Sequence, residues 1–246
     1  MLKENLKIRY LKNLYNNTND LIINPLITHG LKRSLRMLLK ELVIFFNHKS
    51  GLNYWKSKKK NYEKIQIGGG KHILNGFLNI DIFPPADLIY DVRENIPIDS
   101  NSTKFIFSEH FLEHIDYPTS VIKFINECYR ILKKDGKIVI GVPDSASLLK
   151  AYVRGDKKYY NTMIRKWYAN RNCLKYFNTY IDLVNYHFRD QDDDDKYTPH
   201  LWAYDFDKLK SLLLMVGFKS FKKWKFDPKI ASSKRYFGSI YIIARK

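Results

Sequence analysis

Cysteine is nearly missing: Cys128 and Cys173 are the only two in 246 residues. No C-x-x-C occurs, which argues against a zinc or thiol-redox site. Two cysteines make no disulfide framework, so a reducing compartment fits them. Long hydrophobic runs are missing too. None is longer than Leu42 to Phe46, far shorter than the roughly 20 apolar residues a membrane-crossing helix needs. No basic stretch leads into an apolar run and a small-residue cleavage site, so a leader is not expected and a cytoplasmic location is. Acidic residues are scarce in the first 60, which hold 3 Asp/Glu against 13 Lys/Arg; the remainder holds 22 against 30. The net charge of +18 suits a nucleic-acid or anionic-lipid partner. However, lysine, asparagine and isoleucine are all abundant, a pattern that an AT-rich genome produces without any partner. The uneven charge makes the N-terminal part the docking surface, if the chain has one.

What is present separates into a basic helical extension over residues 1–60 and a larger α/β domain over 61–246. Within the extension, Leu31, Leu35, Leu38, Leu42 and Phe45 follow helical spacing, with Lys32, Arg33, Arg36 and Lys40 largely off that line. This amphipathic helix packs its stripe on the main domain or lies on a membrane surface or partner. Gly51 and Lys58-Lys59-Lys60 read as a linker. Strands are then expected at Lys64–Ile67, Phe77–Ile82, Asp87–Tyr90, Phe105–Ser108, Lys137–Val142, Phe218–Phe226 and Ser239–Ala244. Helices are expected at Thr119–Leu132 and at Phe206–Met215, the latter closed by Gly217. Such alternation implies a mostly parallel sheet covered on both faces. Residues 146–200 break the alternation and read as a partly helical insertion over the site. Their acidic run, Asp192–Asp195, lacks calcium-loop spacing and reads as solvated loop; no metal site is expected.

The chemistry is sought where a strand runs into Gly68-Gly69-Gly70, because ligands of open α/β sheets lie beyond the carboxyl ends of the strands. A dinucleotide fingerprint is a poor fit. Its third glycine position is Ile73, and the acidic residue closing the next strand, Asp81, comes too early. A P-loop is also a poor fit, since Gly-Lys-Ser/Thr does not occur.

Several further motifs follow in order. They are Gly76-Phe77-Leu78-Asn79-Ile80-Asp81, Asp87–Asp91, Ile96-Pro97-Ile98 and Ser108-Glu109-His110-Phe111-Leu112-Glu113-His114. Then come Arg130-Ile131-Leu132-Lys133-Lys134-Asp135-Gly136 and Val142-Pro143-Asp144. This series resembles the class I S-adenosyl-L-methionine (SAM)-dependent methyltransferases, especially a group linked to surface-polysaccharide or small-metabolite genes. The resemblance implies a Rossmann-like α/β fold: a mostly parallel seven-stranded sheet with helices on both faces, here with an N-terminal helical extension. It implies SAM as cofactor, with Gly68, Gly69 and Gly70 closing over its methionine and ribose part and Asp81 accepting from the ribose hydroxyls. Asp91 would read the adenine amino group, and Ser108, Glu109 and His110 would face the methyl group and acceptor. Glu113 and His114 cap or brace the following helix. The middle glycine, Gly69, and Thr103-Lys104 before the fourth strand depart from the family's usual residues.

Methyl transfer from a sulfonium is an in-line displacement in which the protein mainly aligns the partners. A base is needed only for a hydroxyl or a protonated amine. His110, His187 and His200 are the candidates, and the motif favours His110. The first functional expectation is O- or N-methylation of a small-molecule or sugar-precursor acceptor, in the cytoplasm, with peripheral membrane contact through the basic helix as a further option. The alternatives are an RNA methyltransferase, supported by charge alone, and a non-catalytic SAM-fold interaction protein.

Overall fold

A computed structural model describes residues 25–58, 61–169, 172–189 and 199–246. The readings that fall on residues 1–24, on Lys59-Lys60 and on Asp192–Asp195 lie outside the described residues.

Helix α1 spans His29–Lys58. Strands β1 (Lys64–Ile67), β2 (Leu78–Asp81), β3 (Leu88–Ile89) and β4 (Thr103–Glu109) follow, then helix α2 (Thr119–Ile131) and strand β5 (Leu132–Pro143). Helices α3 (Ser145–Val153), α4 (Lys157–Met163) and α5 (Tyr180–Arg189) form the insertion. Helix α6 (Phe206–Val216) and strands β6 (Lys219–Lys223) and β7 (Ser239–Arg245) end the chain. The seven strands form one sheet in the order β3-β2-β1-β4-β5-β7-β6. β1 to β5 pair parallel, while β7 runs antiparallel to both β5 and β6.

Alternation along the strands sorts the core. Ile65, Ile67, Ile106, Ile138, Ile140 and Ile242 share one face with the buried stripes of α2 and α6. Phe107, Val139 and Tyr241 share the other with Leu74, Phe77 and Ala231, and with the partly buried Trp224 and Phe226. This second face is therefore covered by loops, where helices were expected. The reason is connection length: residues 68–77 and 82–87 are too few for the helical crossover of roughly a dozen residues that parallel strands normally take. β5 also starts earlier than expected, because Leu132 pairs with Thr103 before an irregularity that ends at Phe105 and Lys137.

The linker reading of Gly51 is corrected. Gly51 sits inside α1, and a Cβ there would lie 1.8 Å from the Ile89 carbonyl oxygen. Only a glycine lets the helix approach the edge strand this closely. Around it, Ile44 and Trp55 are buried, and the His48 ring lies 4.3 Å from that of Tyr90. The packed face of α1 is thus Ile44, His48, Gly51 and Trp55. Of the expected stripe, Leu31, Leu38 and Phe45 stay about half exposed, at 50, 57 and 48%.

Several motif residues prove to be scaffold. Asn79 holds the turn before β2, accepting from Leu74 N (2.9 Å) and donating to Asp87 Oδ2 (2.7 Å). Arg130 donates to the carbonyls of Ile96 and Ile98 (2.8 Å each) and clamps their loop onto α2. Asp144 caps α3, accepting from Ser147 N at 3.2 Å.

Candidate active site

A cleft of about 880 Å³, open mouth included, lies beyond the carboxyl ends of β1, β2 and β4. Its floor is the glycine turn. Gly68 has φ +71°, and a Cβ on it would fall 2.5 Å from the Phe111 ring. The turn is tied to β2 by Gly68 N donating to Ile80 O (2.9 Å) and Gly70 N donating to Asp81 Oδ2 (2.8 Å). Phe83 N donates to the other oxygen, Oδ1, at 3.1 Å. Each carboxylate oxygen of Asp81 therefore takes one backbone N–H and keeps acceptor capacity for a ligand's hydroxyls.

Asp91 lines the same cleft, but its carboxylate is engaged. It accepts from Arg93 Nε (2.9 and 3.0 Å) and Nη2 (2.7 Å). Arg93 Nη2 also reaches Glu41 Oε2 of α1 at 2.8 Å, so the N-terminal helix is wired to the cleft's rim. Bidentate pairing of this kind is strong and directional.

His110 ends the β4 segment in the left-handed region, with φ 54°. Its Nε2 lies 2.8 Å from Ser239 Oγ, and its Nδ1 lies 3.4 Å from Glu113 Oε1. Because the Ser239 hydroxyl donates to the Arg235 carbonyl, its oxygen accepts from His110, which places a proton on Nε2. Burial, and then the positive charge of Arg235, hold the imidazole's pKa well below the usual histidine value. The ring is neutral, with both nitrogens directed at protein groups, and Trp167 packs 5.1 Å from it.

Of the expected site residues, Gly68, Gly70, Asp81, Asp91 and His110 line the cleft; Gly69, Ser108 and Glu109 are not among its lining residues. A Cβ on Gly69 would meet the Gln66 amide, so that residue faces inward. Ser108 is buried within β4 between Ile67 and Ile140. Glu109 points to the loop-covered face, where it accepts from Tyr241 OH (2.6 Å) and Ser232 N (3.2 Å). Successive strand residues alternate between faces, which is why three neighbours cannot all reach one ligand. Sequence reading missed Arg93 and Arg235 on the cleft wall. Arg235 comes from the β6–β7 loop, which has no motif of its own.

Residues 84–140 match the family described as Methyltransferase domain. No curated protein matches the chain. Solved structures similar to it include SAM-dependent methyltransferases from Thermotoga maritima (16% identity, 83% of this chain and 92% of that one, TM-score 0.44) and Archaeoglobus fulgidus (17%, 84% and 94%, 0.43). A third, from Methanosarcina mazei, has 16% identity over 76% of this chain and 93% of that one, with a TM-score of 0.46. The matched segment contains Asp91, β4 and the His110–His114 turn, set within the expected seven-stranded sheet. Over residues 84–140 the chain therefore carries a methyltransferase-domain match within a seven-stranded sheet, and S-adenosyl-L-methionine is the cofactor that such a domain implies.

Proposed function

We propose that the chain methylates an oxygen or nitrogen of a small-molecule or sugar-precursor acceptor. The observation that supports this reading is the insertion packed against the cleft's His110 wall. Residues of α3, α4 and α5 build a core of their own around Leu148, Tyr160, Met163, Leu183 and Tyr186. This block is anchored where Trp167 Nε1 donates to the Phe237 carbonyl (2.9 Å), and Trp167 covers His110. A cleft of about 880 Å³, bounded on its His110 side by this block, suits an acceptor of metabolite size better than a nucleic-acid strand.

The glycine turn and Asp81 would hold the cofactor: nothing lies within 4 Å of where a Gly70 Cβ would stand, so a ligand can approach the backbone there, and Asp81 offers acceptors to ribose hydroxyls. SAM supplies an electrophilic methyl group when bound. The chain's own residues bind, align and exclude water. The exposed apolar residues of α1, beside Lys32, Arg33, Arg36 and Lys40, are proposed to rest on an anionic membrane surface. No described helix is long and apolar enough to cross a membrane.

The test is release of S-adenosylhomocysteine with a panel of hydroxylated metabolites, sugar nucleotides, amines and transfer RNA. Turnover on small acceptors is expected. Turnover on RNA alone would overturn the reading.

A further inference from the structure

Beside the cleft, Glu113, His114 and His200 each bring one ligand atom to within 4.8 Å of the other two. The tertiary fold assembles this group from distant segments. Glu113 and His114 belong to the 3₁₀ turn Leu112–His114, which follows β4. His200 belongs to the segment that follows α5, and Leu201 N donates to the Glu113 carbonyl (2.7 Å), pinning that segment onto the turn.

Two details fix the histidines' chemistry. His200 Nδ1 lies 2.6 Å from the His187 carbonyl, and His114 Nδ1 lies 3.4 Å from the Pro199 carbonyl. A carbonyl only accepts, so each Nδ1 carries a proton, which in the neutral ring makes Nε2 the ligating nitrogen. A ligating histidine is normally oriented in this way, by donating its other N–H to a carbonyl or carboxylate. Glu113 is 1% exposed, so its carboxylate lies out of water beside these imidazoles, with His110 Nδ1 3.4 Å from Oε1. A third observation is independent of these. A small cavity, with room of about 10 Å³, is lined by Glu113, Ser145, His187, His200 and Tyr204. Among the described residues, neither the buried Ser145 Oγ nor the buried Tyr204 hydroxyl has a hydrogen-bond partner. Such atoms normally face a ligand or an ordered water.

We propose that Glu113, His114 and His200 bind a divalent transition-metal ion that holds the acceptor's hydroxyl beside the methyl group. Two imidazoles and one carboxylate suit borderline ions such as zinc, manganese or iron(II), and three protein ligands leave coordination positions open for substrate. Donors around one such ion stand about 3–4 Å apart, so a small side-chain adjustment closes the set. His114 also lines the cofactor cleft, which puts the ion at the cleft's edge. The role rests on the O-methylation reading above. The hydroxyl's proton leaves to solvent as its oxygen binds the ion. The new C–O bond then forms as the methyl carbon–sulfur bond breaks, and that bond's electron pair stays on sulfur.

The experiment uses tag-free protein stripped with EDTA and titrated with Co²⁺ and with Zn²⁺ by calorimetry, with SAM binding measured in parallel. One equivalent of metal is expected, with visible Co²⁺ absorption. His200→Ala and Glu113→Gln should each weaken it by at least about 10–100-fold, the scale of disrupting even a supporting group. SAM affinity should change little in His200→Ala, which lies on a loop and reports the site even if Glu113→Gln fails to fold. No stoichiometric binding to protein that still binds SAM overturns the site, as does equal binding by wild type and His200→Ala. Loss of SAM binding by wild type would instead count against the methyltransferase reading, and the metal titration would still decide the site.

Discussion

At the scale of single residues, two aspartates that look alike in sequence do different work. Asp81 takes one backbone N–H on each oxygen and keeps acceptor capacity toward the cleft, whereas Asp91 is engaged by Arg93. Asp81→Ala should weaken SAM binding by about 1.5–3 kcal/mol, the worth of a hydrogen bond to a charged group. Calorimetry giving equal affinity would remove Asp81 from the site. His110 is subtler. With its Nε2–H donated to Ser239 and its ring buried against Trp167, it braces the turn more readily than it accepts an acceptor's proton. His110→Ala should therefore lower thermal stability, SAM affinity and turnover together. A turnover loss of about 10²–10⁴-fold at unchanged SAM affinity and stability would instead identify a general base.

At the scale of elements, α1 is integral to the domain at its C-terminal half. Gly51 is the contact point, and the Glu41–Arg93–Asp91 chain links the helix to the cleft. Gly51→Leu should force the helix off β3 and destabilise the protein by about 1–3 kcal/mol, the range for overpacking. SAM affinity should fall with it, because Arg93 loses Glu41. An unchanged melting temperature in thermal denaturation would show that α1 does not seat there.

At the scale of the whole molecule, charge and exposed apolar surface coincide on the N-terminal half of α1. Full-length protein should pellet with phosphatidylserine vesicles and be released by salt, since each basic residue near an anionic surface contributes about 1 kcal/mol that ions screen. Leu38→Asp combined with Phe45→Asp should abolish pelleting while leaving SAM binding intact. Wild type that stays in the supernatant would end the membrane proposal.

The order of strands and helices was legible in the sequence, because a core-facing stripe writes its period into the chain: 3.6 in Val121, Phe124, Ile125 and Cys128, and 2 in Ile138, Ile140 and Val142. The glycine turn and Asp81 were legible because a strand end, a turn and the next strand end are close in sequence as well as in space. The tertiary structure alone decided three things. Strand alternation turns Glu109 to the loop-covered face and leaves Ser108 buried within β4, so neither lines the cleft although both neighbour His110. Close helix–strand packing makes Gly51 a contact, although isolated glycines read locally as breaks. The meeting of His200 with Glu113 and His114 depends on a loop pinned by a backbone hydrogen bond far along the chain, and periodicity carries no trace of such a contact.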